Sequence, residues 1–173
     1  MNPPNTIVDI GAHVGIFALA ARLRFPHAQV HAYEPNPHLE EYLKLQAHES
    51  GFRYSMYAVG AHRGRVSLDY HVDSVRTRSR PDESGDIVQI GLDEIVKAAG
   101  GTIDFLKLDC EGAEWRLFED HASWKHVNNL GMEYHLWPDH SHEEAAQVIR
   151  ALGLSIVKHK RSAESFGLLW ASQ

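Results

Sequence analysis

The sequence predicts an α/β fold in three layers, with helices on both faces of a mostly parallel seven-stranded sheet that ends in an antiparallel hairpin. A β-rich run at residues 6–10 leads through a glycine turn into a helical pattern. Strand-like and helix-like segments then alternate, which is typical of a parallel sheet covered by helices. Only a short polar turn separates the last two strand-like segments, 154–158 and 166–171. No crossover helix fits there, so these two strands must be antiparallel.

Length and composition limit the possible functions. At 173 residues the chain is expected to form one domain, residues 1–173. The net charge of −6 argues against a nucleic-acid partner. The single cysteine excludes an internal disulfide and fits a cytoplasmic location. No apolar run approaches the length of a membrane span, so no membrane partner is predicted.

The turn after the first strand is the feature around which the chain is organised. Asp9 lies near the end of the strand, and Gly11 and Gly15 follow in the pattern D-x-G-x-x-x-G. Gly11 can adopt positive φ and let a ligand approach the backbone, while Gly15 removes a Cβ where the helix packs on the sheet. The N-terminus of that helix then offers its N–H groups to a ligand above the strand. We expect Ala12 and His13 to line this ligand loop.

The second strand ends in an acid at the spacing expected for a nucleoside site. Residues 29–33 form the strand, and Glu34 follows about 20 residues after the glycine turn. An acid at this position accepts hydrogen bonds from a ribose diol. The plainer alternative is that Asp9 and Glu34 are polar strand ends and Gly11 is a turn glycine. Turn, helix and acid together favour the nucleoside site.

Three motifs in this order resemble one family of enzymes. The turn resembles motif I of the class I S-adenosylmethionine-dependent methyltransferases, because an acid precedes the first glycine. Together with YEPNP at 33–37 and KLDCEGAE at 107–114, it resembles the FkbM family of methyltransferases, from Ile7 to about His135. One departure is His13, where family members usually carry asparagine.

The resemblance implies a Rossmann-like class I methyltransferase sandwich with S-adenosylmethionine as the cofactor. It also implies a small-molecule acceptor with a hydroxyl group, such as a sugar or a natural product. The residues expected to bind the cofactor are Asp9, Gly11, Ala12, His13, Gly15, Glu34, Ala58, Val59 and Asp109. Residues 1–5 leave no room for the N-terminal cap helices of larger methyltransferases. We therefore expect either a minimal catalytic domain or one cut from a longer protein, and the candidate protein partners are a further domain that completes the pocket or a second copy in a homodimer.

The first half of the chain continues with two helices and a third strand. The first helix is predicted over 16–25 and is stopped by Pro26. Asn36 is expected to cap the second helix, which Gly51 closes. The third strand is predicted over 52–59, and its end at Ala58 and Val59 should pass the adenine ring.

A loop and β insertion is predicted at about 61–91. Alternating apolar residues at 66–72 and a second short run at 87–90 indicate strands on either side of a polar loop, 73–85. Arg76, Arg78 and Arg80 lie in that loop. The loop is either a solvated flexible segment or a substrate-facing lid whose cations suit an acidic or sugar-phosphate substrate.

The second half returns to alternating elements. Helices are predicted over 92–98 and from 114 to 120, and strands over 103–109 and 129–134. Ser141 and Glu144 form a capping box at the start of a helix that Gly153 ends.

Four ionisable residues follow the fourth and fifth strands and should meet above the same crevice. Asp109 and Glu111 follow the fourth strand, and Glu133 and His135 end the fifth. A hydroxyl acceptor must lose its proton, and His135 is the preferred base because an ordinary histidine pKa lies near neutral pH. Glu111 or Asp109 would orient the acceptor. The alternative is that these residues have structural roles only.

Other functions remain open from the sequence. The four residues could hold a divalent cation, but no familiar ligand pattern is visible and no metal site is predicted. The first competing function is that of an NAD-dependent oxidoreductase on a Rossmann-type fold. The second is a non-catalytic nucleoside-binding domain.

Overall fold

The computed structural model describes residues 3–74 and 77–173, and in this part of the chain it contains eleven strands, six α-helices and one 3-10 helix. The strands are β1 Thr6–Ile10, β2 Gln29–Tyr33, β3 Arg53–Ser55, β4 Ala58–Gly60, β5 Gly64–Asp69, β6 Arg78–Pro81, β7 Ile87–Gly91, β8 Phe105–Leu108, β9 Asn129–His135, β10 Ser155–Arg161 and β11 Phe166–Ser172. The α-helices are α1 Ile16–Arg24, α2 Glu40–Ser50, α3 Leu92–Ala98, α4 Glu114–Leu117, α5 His121–Trp124 and α6 His142–Ala151. The 3-10 helix, Pro37–Leu39, precedes α2.

The large sheet has the predicted architecture. Its seven strands lie in the order β3-β2-β1-β8-β9-β11-β10. The pairs from β3 through β9 are parallel, while β11 is antiparallel to both β9 and β10. This confirms the mostly parallel seven-stranded sheet with a terminal antiparallel hairpin, which followed from the short turn between the last two strands.

Helices pack on both faces of this sheet because successive side chains of a strand point to opposite faces. On β1, Ile7 belongs to the apolar cluster that includes Ala18 of α1 and Leu43 of α2. The adjacent Val8 belongs to a second cluster with residues of α3, α5 and α6, including Trp124. Two apolar clusters on opposite faces make the three-layer sandwich.

The prediction of one strand over residues 52–59 is wrong, because this segment forms two strands. Residues 53–55 form β3 and pair with β2 in the large sheet. Residues 58–60 form β4, which pairs with β7 in a second, four-stranded sheet of order β4-β7-β5-β6. A short apolar run does not reveal that its two ends pair with different partners, because β-propensity reflects packing context.

The insertion forms most of the second sheet, with two corrections to its predicted elements. The first strand ends at Asp69, so Tyr70 and Val72 lie beyond it and are exposed. The predicted polar loop contains β6, which pairs antiparallel with β5. Its arginines and serines gave no apolar signal for a strand. Arg76 lies outside the described residues.

The helix predicted from 114 to 120 is shorter than expected. It ends at Leu117, and Asp120 then caps a separate short helix, α5, by accepting a hydrogen bond from the Ser123 N–H at 3.2 Å. This capping side chain starts a new helix where the sequence pattern suggested continuation. Among the described helices, none has the length and apolar character needed to cross a membrane.

Candidate functional site

The register of the central strands brings the ionisable residues to one face of the sheet. Asp9 of β1 is the register partner of Lys107 of β8, and Lys107 is the partner of Gly131 of β9. Residues two positions further along a strand point to the same face. Asp109 and Glu133 therefore follow on that face at the carboxyl ends of the strands, which is where ligands bind in open α/β sheets.

The glycine turn rests on the end of β8. The N–H groups of Gly11 and Ala12 both donate to the Tyr33 carbonyl oxygen, at 3.0 and 3.1 Å. Gly11 has a φ of 77°, and a Cβ at this position would lie 1.6 Å from the Asp109 carbonyl oxygen. The positive φ predicted for Gly11 is confirmed, and the group that comes closest to it is the backbone of Asp109, the residue after β8.

Gly15 permits a different contact from the one predicted. Its φ is 85°, and a Cβ would lie 2.9 Å from Leu43 Cδ1 and 3.0 Å from Phe52 Cζ. The missing side chain therefore lets the start of α1 pack against α2 and the residue before β3. The expected contact with the sheet itself is not what requires glycine here.

A crevice that is partly open to solvent lies above these strand ends. Six predicted cofactor residues line it: Gly11, His13, Glu34, Ala58, Val59 and Asp109. The other three, Asp9, Ala12 and Gly15, are buried and are not among its lining residues. Tyr57, which the sequence analysis did not select, also lines the crevice and is 40% exposed.

Glu34 is held rigidly at the wall of the crevice. Its Oε2 accepts the His13 N–H at 2.8 Å and its Oε1 accepts the Asn36 N–H at 2.9 Å. Burial raises the pKa of Glu34, and the two backbone N–H groups oppose that shift. Each carboxylate oxygen has a further lone pair for a hydroxyl donor. A fixed acid in a crevice beside a glycine turn fits the ribose of a nucleoside cofactor.

Lys107 is a site residue that the sequence analysis missed. Its ammonium lies 3.2 Å from Asp9 Oδ1 and 3.7 Å from Asp109 Oδ2, and it donates to the Gly11 carbonyl oxygen at 2.5 Å. Burial alone would lower the pKa of Lys107, but the charges of the two aspartates outweigh it and raise the pKa. The sequence feature that could have indicated Lys107 is a single charged residue inside the otherwise apolar strand FLKL.

Asp9 lies beneath the glycine turn and pairs with Lys107 there. Its side chain is fully buried, and burial raises its pKa while the Lys107 charge opposes the shift. The ion pair between Asp9 and Lys107 connects β1 to β8, and the hydrogen bond from Lys107 to the Gly11 carbonyl oxygen connects both strands to the turn. Asp9 therefore supports the turn from below.

Glu114 is the second residue that was missed. It is fully buried, and its carboxylate accepts the N–H groups of Cys110 at 2.7 Å and Gly112 at 2.9 Å. Between them Glu111 has a φ of 55°, which is unusual for a residue other than glycine. The buried acid holds this strained turn and so fixes the position of Glu111.

His135 lies among three carboxylates. Its Nε2 is 3.6 Å from Glu111 Oε2 and 3.5 Å from Glu133 Oε1, and its Nδ1 is 3.6 Å from Glu114 Oε1. Burial alone would lower the pKa of His135, but Glu114 and the neighbouring acids outweigh it and raise the pKa. The Trp115 indole N–H donates to the His135 carbonyl oxygen at 2.7 Å, which fixes the backbone of the histidine.

The four predicted catalytic residues therefore meet at one edge of the sheet. Burial raises the pKa of both Glu111 and Glu133, while the charge of His135 opposes each shift. Ligand atoms of Asp109, Glu133 and His135 lie within 4.8 Å of one another, so these three residues could hold a metal ion. A site without metal stays a prediction.

Comparisons with known proteins agree with this geometry. The sequence profile of the methyltransferase FkbM domain matches residues 9–156. The chain is 23% identical to the 31-O-demethyl-FK506 methyltransferase FkbM of Streptomyces tacrolimicus, over 91% of this chain and 75% of the relative. It is 26% identical to the methyltransferase sdnD of Sordaria araneosa, over 73% of this chain and 65% of the relative. The match thus spans less than two thirds of the second relative's length.

Solved structures share the fold. A SAM-dependent methyltransferase from Aquifex aeolicus has a TM-score of 0.52 at 11% identity, over 96% of this chain and 80% of that one. An O-methyltransferase family protein from Burkholderia thailandensis has a TM-score of 0.58 at 14% identity, over 98% and 51%. The fibrillarin pre-rRNA processing protein of Methanococcus jannaschii has a TM-score of 0.64 at 10% identity, over 98% and 66%. At these identities the likeness concerns the fold alone.

Proposed function

The chain belongs to the FkbM family of S-adenosylmethionine-dependent methyltransferases, and on this premise we propose that it methylates a hydroxyl oxygen of a small molecule such as a sugar or a natural product. The observation that carries the proposal is the position of His135 Nε2, which faces Glu111 and Glu133 at the carboxyl edge of the sheet. Membership of this family argues against the two competing functions, that of an NAD-dependent oxidoreductase and that of a non-catalytic nucleoside-binding domain.

The crevice supplies suitable groups for the cofactor. When bound, S-adenosylmethionine supplies a methyl group that is already activated on a sulfonium. Glu34 would hold the ribose, the turn at Gly11 and His13 would provide backbone contacts, and Tyr57 with Ala58 would supply an apolar wall for the adenine. The carboxylates around the crevice also suit a ligand with a positive charge.

The chain must then orient the acceptor and remove its proton. His135 is the proposed general base, acting through Nε2 in its neutral form. Glu114 lies 3.6 Å from the other ring nitrogen, which is beyond hydrogen-bond distance, and would orient the imidazole through its negative charge. Glu111 or Asp109 would accept a hydrogen bond from the acceptor.

The surroundings of the base favour an acceptor with an apolar face. Trp137 is 40% exposed, and a Cβ on Gly112 would lie 2.6 Å from its indole nitrogen, so the ring sits against the turn that holds Glu111. The Arg116 guanidinium lies over the same ring, 5.2 Å from its centroid. Sugars and polycyclic natural products both present apolar faces beside hydroxyl groups, which makes Trp137 a suitable platform.

The cationic lid has less support than the hydroxyl acceptor. Arg80 pairs with Asp69 at 3.4 Å and with Asp82 at 3.3 Å, within its own hairpin. Arg78 is exposed, and its charge lowers the pKa of Glu111. The charge of Arg78 therefore acts on a carboxylate of the site itself.

The test is methyl transfer from S-adenosylmethionine labelled in its methyl group to a panel of sugars, polyols, phenols and amines. We expect label in an O-methyl product, confirmed by the ¹³C shift of the methyl carbon. His135→Gln should abolish most of the transfer, whereas His48→Gln, at an exposed histidine on α2, should not change it. Transfer to amines alone, or full activity in His135→Gln, would contradict the proposal.

A further inference from the structure

The side chain of His13 connects the cofactor turn to the insertion. His13 Nε2 lies 2.9 Å from the Ser74 hydroxyl oxygen, at hydrogen-bond distance. Ser74 lies between β5 and β6, far from His13 in the sequence, and both residues line the crevice. The backbone N–H of His13 donates to Glu34, which fixes the backbone of the turn. His13 has a φ of 52°, in the left-handed region. The bond therefore ties the turn after β1 to the residue of the insertion that also lines the crevice.

A second ring contact supports the same arrangement. Tyr70 follows β5 and its ring lies 5.1 Å from that of His38, in the 3-10 helix that follows the second strand. The insertion is thus connected to the cofactor side of the sheet by two contacts that involve histidine side chains.

The far end of the insertion reaches the acceptor side. The Ser79 carbonyl oxygen lies 3.5 Å from an Arg116 guanidinium nitrogen, and Arg116 lies over Trp137. The charge of Arg78 acts on Glu111. The insertion therefore contacts the cofactor turn through Ser74 and the Arg116 side chain through Ser79.

We propose that His13 and Ser74 form a latch that holds the insertion over the cofactor crevice and so controls cofactor entry and release. The proposal rests on the function proposed above, because the crevice must be the cofactor site. His13 and Ser74 are positioning residues, and neither is assigned a part in the chemistry.

A latch between two protein groups has a kinetic signature that a ligand contact lacks. Removing it makes the crevice open more often, so association and dissociation both become faster. The dissociation constant changes much less, because the proposed cofactor contacts of His13 come from its backbone and Ser74 is assigned none. One neutral hydrogen bond corresponds to a rate change of about three- to tenfold.

The test is stopped-flow measurement of S-adenosylhomocysteine binding by intrinsic tryptophan fluorescence. The variants are Ser74→Ala, His13→Asn and the two combined. Asparagine tolerates the left-handed backbone of residue 13 but is too short to reach Ser74. We expect each single variant to raise both rates about three- to tenfold, and the double variant to add little, because both changes remove the same bond. Ser162→Ala, in the exposed turn between β10 and β11, is the matched control.

The outcomes separate the two proposals. If the wild-type protein binds S-adenosylhomocysteine but both single variants keep its rates, the latch is wrong and the proposed function stands. A rise in dissociation alone, with a matching rise in Kd, would also overturn the latch and make Ser74 a ligand contact. If the wild-type protein does not bind S-adenosylhomocysteine, the proposed function fails and the latch fails with it.

Discussion

The buried carboxylate of Glu114 lies 3.6 Å from Nδ1 of His135, and the same carboxylate accepts the backbone N–H groups of Cys110 and Gly112. One acid thus connects the turn after β8 to the histidine at the end of β9. The turn presents Glu111 and the strand presents His135, so Glu114 sets the distance between two proposed catalytic groups.

Replacing Glu114 should therefore affect stability and the histidine together. In Glu114→Gln one backbone N–H loses its charged acceptor in a buried place, which costs about 2 kcal/mol. For a domain of this size we expect Tm to fall by about 4–8 °C. The pKa of His135, followed by NMR of its ring protons, should also fall, because the nearest buried negative charge is gone.

The exposed Glu164→Gln is the control for this variant. It should change neither Tm nor the titration of His135. An unchanged His135 pKa in Glu114→Gln would show that the buried acid does not govern the base.

The raised pKa of His135 predicts the pH dependence of the reaction. A general base must be neutral, so kcat/KM should fall as pH decreases through the raised pKa, above the ordinary histidine value of about 6.5. His135→Gln should lose this acid limb together with most of the activity. A limb centred below the ordinary value would contradict the assignment of His135 as the base.

The raised pKa of His135 also predicts how the free energy of unfolding depends on pH. A histidine whose pKa is higher in the folded state stabilises that state at pH values below its unfolded pKa. The stabilisation disappears as pH rises through the folded pKa. The difference in unfolding free energy between wild type and His135→Gln, measured in urea, should therefore be larger at pH 6 than at pH 9. A constant difference would mean that the carboxylates do not stabilise the imidazolium.

The buried ion pair under the glycine turn predicts an asymmetric pair of variants. Lys107→Met leaves the fully buried Asp9 carboxyl without its cation, and either keeping its charge or taking up a proton should cost about 3 kcal/mol in unfolding free energy. The double variant Asp9→Asn with Lys107→Met should recover much of that loss, because no buried charge then lacks a partner. Lys97→Met removes an exposed pair with Asp93 and should leave stability unchanged. A double variant as unstable as Lys107→Met would contradict the pairing.

Two glycines with similar backbone angles should respond very differently to alanine. Gly11 and Gly153 have φ values of 77° and 89°. At Gly153 nothing lies within 4 Å of the added Cβ, so only backbone strain of about 1–2 kcal/mol is expected. At Gly11 the Cβ would overlap the Asp109 carbonyl oxygen, so Gly11→Ala should be much less stable and should bind S-adenosylhomocysteine poorly. Equal losses would mean that the turn can move away from β8.

The strands and helices of the large sheet could be predicted from the sequence, because the spacing of apolar residues and the glycine turn are local features of the chain. The last hairpin followed from the length of one connection. The edge where Asp109, Glu111, Glu133 and His135 meet also followed, because the carboxyl ends of parallel strands share one edge of a sheet.

The rest depends on contacts between distant residues. Nothing near Lys107 in the sequence shows that Asp9 is its register partner. The pairing of β4 with β7 is equally remote, so the division of residues 52–59 between two sheets could not be read from the segment itself. The hydrogen bond of His13 to Ser74 depends on where the insertion folds back, which a polar loop does not specify.

The most direct test of the account is thermal unfolding with S-adenosylhomocysteine, with NAD and with neither, for wild type and Glu34→Gln. A ligand at a hundredfold over its Kd adds about 2.7 kcal/mol, or about 5–10 °C in Tm for a domain of this size. We expect Tm to rise with S-adenosylhomocysteine alone, and to rise much less in Glu34→Gln. A rise with NAD alone, or an equal rise with S-adenosylhomocysteine in both proteins, would contradict it.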